Sequence, residues 1–248
     1  MLPSIFLAKS KTAIVFTSMY FLLSGTYVSG QNNKVITRLI RYEVQPQFQA
    51  AFRMAVRNYV FHSLKSETNI MSEAYYEQAD TTVLWVIERW SNKDELDKAS
   101  KSSVFKAIDS LSRTSLKQPA KTIYVKDLEP LSKPQWRTVS KEEDKPITIM
   151  LFVDAKPGTE NKFKEVYHIA MPLFRSEPGV INYQLSQLEE DSTQFVTYEK
   201  FRNEDAFQYH LNFPPIRPVI DYLGTSIKKQ PFQTGLHRLI AFAPLTRQ

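Results

Sequence analysis

The side chains that titrate nearest neutral pH are four histidines, His62, His168, His210 and His237, and no two stand at the helical or strand spacing a metal site requires. The chain has no cysteine, six glycines, no Gly-rich phosphate loop and no Gly-x-Ser-x-Gly elbow, so thiol, nucleotide and serine-nucleophile chemistry find no motif. What remains is acid–base work at an imidazole. His210 lies in a stretch of helical pattern and could take or give a proton near neutral pH. It could equally be a helix-surface residue bonded to a neighbouring carbonyl. Tyr183, Tyr198 and Asn182 in one half of the chain, and Trp85 and Trp90 in the other, could line pockets or simply pack a core. Glu88 and Glu199 recur at matching positions and read as structural carboxylates paired with an arginine or a helix end. The motifs indicate no cofactor and no metal.

An internal repeat must position these residues. Ser66-Glu67-Thr68-Asn69, a polar hinge at 78–81, Leu84-Trp85-Val86-Ile87-Glu88-Arg89-Trp90 and Ser91-Asn92 return in the same order later in the chain. The second set is Ser176-Glu177-Pro178-Gly179, a hinge at 189–192, Phe195-Val196-Thr197-Tyr198-Glu199-Lys200-Phe201 and Arg202-Asn203. Each copy also closes on Pro-Leu, at Pro130-Leu131 and Pro244-Leu245. Residues 35–44 and 147–153 read as first strands from their β-branched content. Amphipathic helices follow, marked by Phe48, Phe52, Val56 and Tyr59 in one copy and by Phe163, Tyr167, Ala170 and Phe174 in the other. A hairpin, a second helix capped by Asn92 or Asn203, and a last strand complete each copy. The order β-α-β-β-α-β is that of a ferredoxin-like unit, so the fold class is α+β.

The strand at 83–90 is apolar on both faces, with Val83, Trp85 and Ile87 on one side and Leu84, Val86 and Trp90 on the other. A sheet with helices on one face and water on the other would alternate. The other copy is therefore expected as the second cover, sheet against sheet, the two halves forming an intramolecular dimeric α+β barrel. The expected organisation is 31–132 for the diverged first unit, 133–145 for an exposed linker and 146–248 for the second unit. The whole is a monomer with an internal pseudo-dimer, or a higher homo-oligomer.

Residues 1–30 have the layout of a secretory signal: Lys9 and Lys11 without acids, an apolar run at 13–23, then small residues up to a cleavage site before Gln31. The expectation is an exported protein without stable membrane insertion after cleavage; the alternative is that the segment is kept as a membrane anchor. The formal charge of +6 includes those two lysines, which leaves +4 interspersed with acids and gives no basic stripe for nucleic acid.

From Glu177-Pro178-Gly179 through Tyr198-Glu199-Lys200-Phe201 to His210-Leu211, the second copy resembles the antibiotic biosynthesis monooxygenase family of dimeric α+β barrels; residues 35–131 resemble it more weakly. The resemblance implies an apolar pocket between helices and sheet in each half, with His210 where relatives present a side chain to it. It implies a small planar aromatic or quinol substrate that supplies its own electrons, and so a cofactor-independent monooxygenase with His210 as base. The haem-degrading relatives are set apart, because their ligand position falls on Asp109 and Ile220, their pocket Trp on Ala99 and His210, and the first strands hold no Asn. The alternative is a non-catalytic protein that binds a small ligand or serves a structural role.

Overall fold

The computed structural model describes residues 34–229 and 235–245. The expected signal segment lies outside the described residues. The first repeat runs β1 (Ile36–Glu43), α1 (Gln49–Leu64), β2 (Asn69–Glu77), β3 (Val83–Trp90), α2 (Lys93–Ser100), α3 (Ser103–Ser115) and β4 (Lys121–Leu128). A short helix, α4 (Lys133–Trp136), leads into β5 (Ile147–Asp154), α5 (Glu160–Arg175), β6 (Val180–Leu188), β7 (Gln194–Phe201), α6 (Glu204–Asn212), α7 (Arg217–Thr225) and β8 (Leu236–Ala243). The second helix of each repeat is thus broken in two. Ser102 caps a fresh start in the first copy. In the second, Pro214 and Pro215 cannot continue α6 and form a 3₁₀ turn instead.

The eight strands close into one barrel, in the order β1-β3-β2-β8-β5-β7-β6-β4. Closure is the second cover that the two-faced β3 demands, and all eight of its residues are buried. The halves do not stack as separate sheets. Their edges join, β2 to β8 and β4 to β6, so among the described residues every strand is paired on both sides and no edge is left open. Alternation along each strand then sends one set of side chains inward and the other toward the helices. Leu39, Trp85, Ile87, Tyr75, Met150, Val196, Tyr198 and Leu239 share a core cluster drawn from both repeats.

Polar groups inside the barrel are tied across the repeats. Glu73 of β2 accepts from Lys200 Nζ at 2.8 Å and Tyr198 Oη at 2.6 Å, both on β7. Arg89 of β3 donates to Asp127 of β4, which also accepts from Ser186 of β6. The two Pro-Leu closures cross over as well: Leu131 N–H donates to Gln184, and Leu245 N–H to Glu73. The segment expected as an exposed linker departs from that reading. Trp136 is buried, with its indole 3.7 Å from the Arg89 guanidinium and edge-on to Tyr198. An indole stacked on a buried cation supplies what an all-polar linker could not.

Candidate active site

Two local features bring the second-half residues together. After α5, the turn 176–179 reverses the chain with Gly179 at φ +87°, and a Cβ there would stand 2.6 Å from Ala206 Cβ. Only glycine lets this turn lie against the first turn of α6. Asn203 then starts α6 by accepting from Ala206 N–H at 2.9 Å. The result sets Glu177, at the end of the turn from α5, against His210 on α6: Nδ1 and Oε1 are 2.8 Å apart, and both residues are buried. Facing a carboxylate, Nδ1 carries the proton and Nε2 presents its lone pair. Phe174, Tyr183 and Phe201 hold the ring, with centroids 4.8, 5.4 and 5.3 Å away.

His210 Nε2 faces Glu199 Oε2 at 4.0 Å. The other Glu199 oxygen accepts from Thr197 Oγ1 at 2.7 Å and Tyr183 Oη at 3.2 Å. Burial pushes the Glu199 carboxyl above its ordinary range, against the opposing pull of His210 and these two hydroxyls, and Glu177 adds to the rise. Burial first, and then the Glu199 charge, raise Tyr183 and Tyr167. A cavity of about 30 Å³ adjoins the cluster, lined by His210, Glu199, Tyr183 and Tyr167 on one side and by Ile149 and Leu223 among the apolar walls. That volume holds about one or two waters.

In the first half the matching carboxylate, Glu88, is tied down. Arg38 stands directly opposite Glu88 in the β1–β3 register and donates to it at 2.7 Å, and Tyr59 Oη and Trp90 Nε1 each reach the other oxygen at 2.8 Å. The reading of Glu88 as an arginine-paired structural carboxylate matches this. Glu199 departs from it, because Ile149 is the residue opposite it on β5 and no arginine among the described residues pairs with it. Ala99 follows Glu88 at the spacing by which His210 follows Glu199.

Of the residues expected to line pockets, only Tyr183 joins His210. Tyr198 and Asn182 turn into the barrel, where Asn182 donates to Gln135 O at 2.8 Å. Trp85 is also inside, donating to Glu77 at 2.8 Å and packing beside Phe152 and His237. Trp90 lines a separate cleft of about 200 Å³ in the first half with His62 and Ala99. Glu177 was missed as a partner for His210, since 33 residues separate them and no local pattern links them. One signal was present: Glu177 is a repeated anchor, and only its copy carries the histidine.

The profile of the antibiotic biosynthesis monooxygenase family matches the chain twice, at residues 35–109 and 146–220. The chain belongs to this family. Two crystal structures described as putative monooxygenases share the fold of this family member along both repeats. The one from Lactobacillus acidophilus has a TM-score of 0.69 at 15% identity, covering 84% of this chain and 94% of that one. The one from Fusobacterium nucleatum has a TM-score of 0.70 at 14% identity, covering 85% and 93%. An uncharacterized protein of Synechocystis sp. is 30% identical over 81 residues, which are 33% of this chain and 55% of that protein, so the chain spans about half the length of that curated relative.

Proposed function

We propose that the second repeat of this family member is a cofactor-independent monooxygenase site for a small aromatic or quinol substrate, with His210 as general base. The observation that carries the reading is the buried Glu177–His210 pair, whose Nε2 is directed at a cavity edge shared with Glu199. Glu177 fixes the tautomer, and Nε2 takes the substrate proton. The resulting anion reduces dioxygen, a carbon–oxygen bond forms, and loss of water leaves the carbonyl: R₂CH₂ + O₂ gives R₂C=O + H₂O. All four electrons that reduce dioxygen come from the substrate carbon.

An aromatic ring needs more room than about 30 Å³. Ile216 from the 3₁₀ turn, and Val219, Ile220 and Leu223 from α7, form much of the cavity wall, so outward movement of 213–225 admits the ring. The closed cavity also favours a second reading, capture of a small apolar ligand without turnover. Oxygen uptake with a panel of hydroquinones and anthrones decides between them. Uptake that is lost in His210→Gln supports the enzyme; recovery of a bound, unaltered ligand with no uptake supports the binder. Export belongs to the same proposal, and N-terminal sequencing of the secreted form is expected to begin at Gln31.

A further inference from the structure

The two repeats are a built-in comparison, and their difference at one carboxylate carries an inference that rests on the oxygenase reading. Glu88 and Glu199 occupy one position in the two copies, each on the helix-facing side of its third strand. In the first copy Arg38 lies across the ladder, and Glu88 accepts from Arg38, Tyr59 and Trp90 with both oxygens. A carboxylate held this way has both oxygens occupied and a guanidinium against it, with neither oxygen left for a reactant. In the second copy the arginine is Ile149, and both hydrogen bonds to Glu199 fall on Oε1. Oε2 is left toward His210 Nε2 at the cavity. With isoleucine where the first copy has arginine, Glu199 keeps one oxygen beside the base, and burial favours its protonated form.

We propose that Glu199 is the proton donor of the site, serving the oxygen that departs as water. In the first half-reaction His210 takes a proton from substrate carbon or hydroxyl, the anion adds to dioxygen, and the peroxide oxygen receives that proton to give R₂CH–O–OH. In the second, His210 removes the remaining C–H proton while the carbonyl forms. The O–O bond breaks, and the departing oxygen takes the Glu199 proton and leaves as water. Carbon is oxidised and the peroxide oxygen reduced by the same electron pair. The 4.0 Å gap between Nε2 and Oε2 lets the proton gained by His210 pass to Glu199, which resets both groups.

The groups facing Glu199 are His210 from α6, Tyr183 from β6, Tyr167 from α5, Glu177 from the turn after α5, and Thr197 on its own strand. Among them only His210 is a cation when protonated. The donor form is therefore present at low pH and lost as pH rises, which places an alkaline limb on the rate.

The test compares the full chain with Glu199→Gln, isosteric and unable to donate a proton, on a hydroquinone or anthrone that the unmodified protein oxidises. Expected are a fall in turnover of about 10²-fold or more, disappearance of the alkaline limb, and release of organic peroxide measured by a peroxide assay. Glu199→Asp is expected to restore part of the turnover and suppress the peroxide. If Glu199→Gln keeps the alkaline limb and releases no peroxide while oxidation proceeds, the donor role is overturned and the oxygenase reading stands. If the unmodified protein oxidises nothing in the panel, the oxygenase reading fails and the donor assignment falls with it.

Discussion

His210 acquires its chemistry from Glu177. The imidazole has one carboxylate on Nδ1 at 2.8 Å and a second 4.0 Å from Nε2, and three aromatic rings keep it from rotating between them. Glu177→Gln preserves shape but offers an amide that can donate as well as accept, which frees the tautomer. Turnover is expected to fall by about 10²–10⁴-fold with KM little changed, as measured by oxygen uptake. Glu199 yields a separate prediction on stability. Its carboxyl titrates higher when folded than when unfolded, so its favourable contribution is complete below the unfolded value, about 4.3, and is lost as pH rises through the folded value. Glu199→Gln cannot ionise and escapes that loss. Its Tm is expected to gain on the unmodified protein as pH is raised from 4 to 8, and a constant difference would remove the case for a raised carboxyl.

The elements that meet at the site do so through the turn before β6. Gly179 has a backbone conformation that costs an L side chain about 1–2 kcal/mol, and an added methyl would also press on Ala206 at 2.6 Å. Gly179→Ala is expected to destabilise by about 2–4 kcal/mol in urea unfolding, combining that strain with the cost of overpacking. It is also expected to lower oxidation by pushing α6, and His210 with it, away from Glu177. Much of this architecture was legible in the sequence because it depends on order and period. The repeated Ser-Glu, Glu-Arg/Lys and Pro-Leu anchors disclosed two copies, and a third strand apolar on both faces called for a closed core. The site was less legible for the same reason of period. Tyr198 and Glu199 are adjacent, as are Asn182 and Tyr183, and a strand must send one of each pair inward and the other toward the helices. Asn182 and Tyr183 could not both face one pocket, and Tyr198 had to point away from the side that Glu199 faces. Glu177 stood out only as a repeat anchor and Trp136 in no pattern, and their partners come from other elements in the folded chain.

At the scale of the molecule, the two repeats act as one because their buried polar groups are shared. Glu73 belongs to the first copy, yet it accepts from Lys200, Tyr198 and the Leu245 N–H of the second and from Tyr75 of its own strand. Burial alone would push its carboxyl up. Lys200 and the hydroxyls outweigh that and hold it below the ordinary carboxylate range. A depressed folded value means that this stabilisation is present above the unfolded value of about 4.3 and disappears as pH falls through the folded one. Acid should therefore loosen the join between the copies. Glu73→Gln is expected to show a shallower loss of stability than the unmodified protein on titration from pH 5 toward pH 2, measured by denaturant unfolding. Removing the cation alone is harsher. Lys200→Met leaves a charge buried without a partner and is expected to cost about 3–5 kcal/mol, whereas Glu73→Leu with Lys200→Met discards both charges together and should recover much of that. If the single and double variants were equally destabilised, the ion pair would not be what couples the halves, and apolar closure of the barrel would have to carry the join alone.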